Sequence, residues 1–156
     1  MNPAGAVEAA RRGLDALDLK SHPGVASAMA SADAGAPLFV ERLDLPDRAY
    51  YLVPWTGSRG VELIVQVDMA SGAMAGLVTL PQPIPRVVVP PAEAERIVRE
   101  RTGLSVVAEP RLVWLPCRES SSPFLPFYRI ATGGGDLFVG ADAAVHPRLT
   151  PFGKGG

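Results

Sequence analysis

The sequence predicts an α+β chain in which one unit, a helix followed by an antiparallel meander of three or four strands, is used twice. Two observations carry this reading. Apolar residues recur at three- and four-residue spacing and then switch to alternation, first over residues 1–80 and again over 91–147. The strand-like runs are separated by short turns rich in Asp, Gly and Ser, which suit hairpins and are too short for parallel crossovers. A proline cluster over 81–90 punctuates the two halves, and residues 148–156 form a tail with few apolar groups.

The first helix has Asn2 as its cap and Pro3 in its first turn. Val7, Ala10, Leu14 and Leu17 fall on one stripe, with Glu8, Arg11, Arg12, Asp15 and Asp18 opposite. Ser21, His22, Pro23 and Gly24 break it, and the small residues of 25–32 form a short second helix. A strand over 37–45 lies between Pro37 and Pro46. Residues 50–55 are aromatic and β-branched and read as the next strand. A hairpin loop over 56–60 leads to a strand over 62–69, in which Leu63, Val65 and Val67 alternate with Glu62, Gln66 and Asp68. A turn over 68–72 and a strand over 73–80 complete the first meander.

Pro81, Pro83 and Pro85 cannot occupy a central strand, so 81–90 is expected to be a connector. In the second half Pro91 opens a helix that buries Ala94, Ile97 and Val98 and stops at Gly103. An extended stretch over 106–115, a loop over 117–122, and strands over 124–131 and 136–139 follow. The two halves match in order. Arg42-Leu43-Asp44-Leu45-Pro46 corresponds to Arg111-Leu112-Val113-Trp114-Leu115-Pro116 with one insertion. Tyr50-Tyr51-Leu52 corresponds to Phe127-Tyr128-Arg129, and Glu62-Leu63-Ile64-Val65 to Asp136-Leu137-Phe138-Val139.

Tyr50-Tyr51-Leu52-Val53 preceding Val67-Asp68-Met69-Ala70-Ser71-Gly72 resembles the PepSY family, whose tyrosine-rich strand is followed by one ending in V-D-x-x-T-G. Ser71 stands where threonine is usual, and the second half keeps Phe127-Tyr128 and Ala141-Asp142 without the glycine. The resemblance implies a cystatin-like helix against a curled antiparallel sheet, in tandem, and a role in restraining peptidases. The motif's physical content is a turn: the aspartate accepts backbone N–H bonds and the glycine supplies a positive backbone angle.

Composition removes several functional classes. Lys plus Arg number 15 against 16 Asp plus Glu, and no window carries a basic excess, so no nucleic-acid partner is expected. No apolar run reaches the roughly 18 residues of a membrane span, and no signal peptide is visible at the start. The expected location is the cytoplasm, or outside it for a chain from which an export signal has been removed. Cys117 is the single cysteine, which rules out an internal disulfide and a cysteine metal cluster. His22 and His146 sit before prolines without paired carboxylates, so neither a metal nor a cofactor is expected. Gly133-Gly134-Gly135 lacks the Lys-Ser/Thr ending and following helix of a phosphate loop.

The chain is therefore expected to be a non-enzymatic module that binds a protein or peptide, restraining or accompanying a partner enzyme such as a peptidase, with homo-oligomers also open. Aromatic residues supply the expected contact surface: Trp55 and Trp114 at strand ends, with Tyr50 and Phe127. The alternative lies in the tail. Leu149 and Phe152, three residues apart, make 149–156 a docking peptide, and the terminal Gly-Gly suits a carrier role.

Overall fold

The computed structural model describes residues 1–153. In chain order the elements are α1 (Pro3–Asp15), α2 (Pro23–Ser31), β1 (Asp33–Ala34), β2 (Leu38–Arg42), β3 (Ala49–Gly57), β4 (Gly60–Asp68), β5 (Ala73–Ile84), α3 (Pro91–Thr102), β6 (Arg111–Trp114), β7 (Phe127–Thr132), β8 (Gly135–Val139) and β9 (Val145–His146). The fold class is α+β with mostly antiparallel strand pairs, as the hydrophobic patterning predicts. Two units share the chain. One comprises Met1–Phe39 and Arg48–Val87; the other takes Val40–Asp47 and the chain from Val88 onward.

In the first unit β3, β4 and β5 form an antiparallel meander, with short β1 added to β3. The register Trp55↔Leu63, Val53↔Val65 and Tyr51↔Val67 places these side chains on one face. α1 and α2 cover that face with Ala6, Ala9, Ala10, Leu14, Val25 and Ala28. The helix face is mostly alanine, so the backbone of α1 lies close to the sheet. Gly13 extends that approach: a methyl group there would stand 2.6 Å from Cβ of Met74 on β5. The glycine that weakens the helix by about 1 kcal/mol of propensity is thus what lets it seat.

α1 starts as expected, with Asn2 Oδ1 accepting the N–H of Gly5 at 2.8 Å. The turn after β4 also takes its expected form. Asp68 Oδ2 accepts the N–H of Ser71 at 2.7 Å, and Gly72 adopts a φ of +66°. That bond, more than any other contact, holds the Asp68 carboxyl below its usual range, with Arg48 adding to it.

In the second unit β2 pairs in parallel with β6, and β6, β7, β8 and β9 follow in antiparallel order. α3 buries Ala94, Ile97 and Val98 and packs on β7 and β8. It ends at Gly103, which takes a φ of +70° and donates to Arg99 O at 2.9 Å. Its outer face carries Arg96–Glu100 and Arg99–Glu95 pairs, the solvated helix of a mixed-charge segment. Arg111 lies opposite Arg129 across β6 and β7. The like charges are tolerated because Arg129 pairs with Asp136 at 2.6 Å and Arg111 with Glu41 at 3.7 Å.

Several expected boundaries are corrected. The strand over 37–45 stops at Arg42, where its guanidinium folds back on Asp44 (2.8 and 2.6 Å) and the chain bends. That hydrogen-bonded pair lowers the Asp44 pKa. The extended stretch 106–115 reduces to β6 plus a single bridge from Val106 to Thr132. The strand over 73–80 does not end at Pro81; it runs through Pro81 and Pro83 to Ile84. A strand tolerates those prolines where one of its edges has no neighbour.

Candidate functional site

The four aromatic side chains expected on the surface are inside. Trp55 is 3% and Trp114 4% exposed, and Tyr50 and Phe127 are equally covered. Their assignment as contact residues is corrected on this ground. β3 is buried on both faces over Tyr50–Trp55, so alternation along it does not separate a wet side from a dry one. Trp114 carries the Arg42 guanidinium 4.8 Å above its ring, while its own Nε1–H has no hydrogen-bond partner among the described residues. Phe127 meets the His146 ring edge-on at 5.8 Å.

The tail is less free than its composition implies. Arg118 N donates to Thr150 O at 2.9 Å, and Cys117 bridges to Pro151. Glu119 receives both the N–H and the hydroxyl of Thr150, each at 2.9 Å. Leu149 is half-buried, while Phe152 is 54% exposed. The terminal Gly-Gly lies outside the described residues. The Thr150 N–H lowers the Glu119 pKa from its ordinary 4.5 to about 2, with burial opposing and the Thr150 hydroxyl adding to the drop.

Because the folded value lies below the unfolded one, this attachment contributes its full stabilisation above pH 4.5 and loses it as pH falls toward 2. Acidification through that window is expected to release Thr150, read as a fall in the protection factor of its amide relative to the intrinsic exchange rate at each pH. Glu119→Gln is expected to flatten the dependence.

Glu119, Ser120, Asp142 and His146 line one cavity of about 140 Å³ in the second unit. Cys117 is fully buried, its Sγ lies 3.5 Å from Ser120 O, and burial pushes its thiol pKa up, away from the reactive thiolate. Among the described residues no set of three or more His, Cys, Asp and Glu side chains could hold a metal. No helix among the described residues is long and apolar enough to cross a membrane.

β5 offers the feature with binding potential. It stands last in the strand order and pairs only with β4, so its other edge presents backbone N–H and C=O groups with no strand partner among the described residues. Natural sheet edges are normally blunted by charge, by brevity or by cover. This one is neither short nor charged, spanning 12 residues with no charged residue between Asp68 and Arg86, although Pro81, Pro83 and a bulge at Ala75 limit how much of it can pair. Pro81 and Pro83 limit pairing to residues 73–80, a run of about 26 Å. Met74, Leu77 and Thr79 pair with Val67, Val65 and Leu63 on the helix-covered face. That packing fixes the strand, and Ala75 bulges between the paired residues Met74 and Gly76.

The sequence gives a strand over 73–80 but does not show that it is an edge. The available signal was the continuation of a strand pattern into Pro81 and Pro83 together with the absence of charge. Comparison with protein-family models, curated proteins and solved structures finds no match for this chain.

Proposed function

We propose that this chain is a non-enzymatic protein- or peptide-binding module that captures an extended segment of its partner as an added strand on β5. The observation that carries the reading is the long, uncharged edge of β5, which has no strand partner among the described residues and packs under α1 and α2. Main-chain hydrogen bonds supply affinity in such an addition, and alternate side chains supply selectivity. A partner enzyme such as a peptidase is the class named by the PepSY resemblance.

Panning random nine-residue peptides on the immobilised chain is expected to enrich uncharged sequences of period two. Methylating alternate amide nitrogens of an enriched peptide should weaken binding by about tenfold or more in one register and little in the other. A strand offers only alternate N–H groups to its neighbour, and three or four lost backbone bonds account for that factor. Equal response in both registers, or equal enrichment on Val78→Lys, removes strand addition.

A tandem origin is part of the same proposal. What supports it is a shared hairpin. β3 and β4 are joined through Ser58-Arg59, β7 and β8 through Gly133-Gly134, and each closes on a glycine at high positive φ, +122° at Gly60 and +110° at Gly135. The tail reading has less support, because Thr150 and Pro151 are tied to the 117–119 loop and leave Phe152 as the exposed apolar group.

A further inference from the structure

Beside the proline end of β5, in the first unit, lies a cavity of about 150 Å³ whose walls include Ser27, Arg59, Glu62, Thr79, Leu80 and Pro83. A void of this size holds roughly one benzene-sized group, so it suits a single side chain. Two of its charged groups have unused hydrogen-bonding capacity. Glu62 Oε2 accepts the Ser31 hydroxyl at 2.6 Å, while Oε1 accepts no hydrogen bond among the described residues. The Arg59 guanidinium has neither an ion pair nor a hydrogen bond among them.

The occupant must satisfy an open acceptor and an open donor of opposite charge. A lysine would be drawn to Glu62 and repelled by Arg59, and a carboxylate would meet the reverse. A carboxamide carries an NH2 donor and a C=O acceptor without charge, so it can serve both groups and leaves no ion to desolvate. Its methylene stem would lie on Leu80 and Pro83. We infer that this cavity takes the side chain of a glutamine or asparagine. On the strand-addition reading, that residue belongs to the segment added beside Thr79 and Leu80.

The cavity can be tested without any peptide. Titration of the 15N-labelled chain with N-acetyl-glutamine-N-methylamide is expected to shift the amides of Ser27, Glu62 and Thr79. The glutamate and lysine analogues should bind about tenfold more weakly or worse, in keeping with lost hydrogen bonds to charged groups. Glu62→Ala and the exposed-site variant Arg59→Ala should each reduce glutamine-probe binding by a similar factor while the rest of the spectrum is unchanged. Absent shifts, shifts scattered over the surface, or equal binding of all three probes would overturn the inference. Probe failure with intact binding of an enriched peptide ends the cavity inference and leaves strand addition standing. Probe binding without any peptide register effect retires strand addition and keeps the cavity as a carboxamide site.

Discussion

Gly60→Ala is expected to destabilise the chain by about 2–6 kcal/mol, measured as a drop in the urea midpoint at unchanged slope. Two costs combine. At a φ of +122° only glycine is at ease, and a side chain forced there costs about 1–3 kcal/mol. A methyl group would also be driven onto the carbonyl oxygen of Ile84 and within 2.9 Å of its carbon. Overpacking against backbone adds about 1–3 kcal/mol. Relief would require β5 to leave β4 where Val61 pairs with Ile84. Gly135→Ala separates the two contributions. Its φ is +110°, yet a methyl group there meets nothing within 4 Å, so about 1–3 kcal/mol is expected. Equal losses at the two glycines would show that Ile84 moves aside without cost.

Trp55→Ala is expected to cost about 3–5 kcal/mol, the usual range for emptying a buried indole. The ring is packed with Leu63, Val65 and the helix alanines, with Arg11 lying 6.0 Å above it. Against a typical total of about 5–15 kcal/mol, that is a large fraction, so thermal unfolding should move by many degrees. Trp114→Phe provides the contrast. Its Nε1–H is buried without a partner among the described residues, and removing such a donor recovers about 1–3 kcal/mol, which offsets much of the lost volume. The Trp114→Phe loss should therefore be the smaller of the two. A Trp55→Ala chain of wild-type stability would contradict the burial of this indole.

The legible parts of the sequence were those governed by local chemistry. Asn2 with Pro3, Gly103 after Val98, and Asp68 with Gly72 each announce a terminus or turn through bonds spanning only a few residues. The alternation of β4 was readable because Glu62, Gln66 and Asp68 are each less buried than Leu63, Val65 and Val67. β3 could not be read that way, since Tyr50 and Leu52 are as buried as Tyr51 and Val53. Aromatic residues that looked like surface anchors are core for this reason.

The candidate site was less legible because it depends on strand order. Whether β5 has a second neighbour is decided by residues far from it in sequence, and only Pro81 and Pro83 hinted at the answer. The cavity joins α2, the β3–β4 hairpin and β5, a meeting that no single stretch of sequence announces. Parallel pairing of Glu41 and Arg42 with Val113 and Trp114 was hidden in the same way.

The neutral rim of β5 also bears on how the protein behaves at high concentration. Chains refolded together from denaturant would meet one another rim to rim, and over residues 73–80 no charge on that rim repels a copy of itself. Colloidal losses on refolding should then grow steeply with protein concentration, and dilution or a saturating ligand would suppress them.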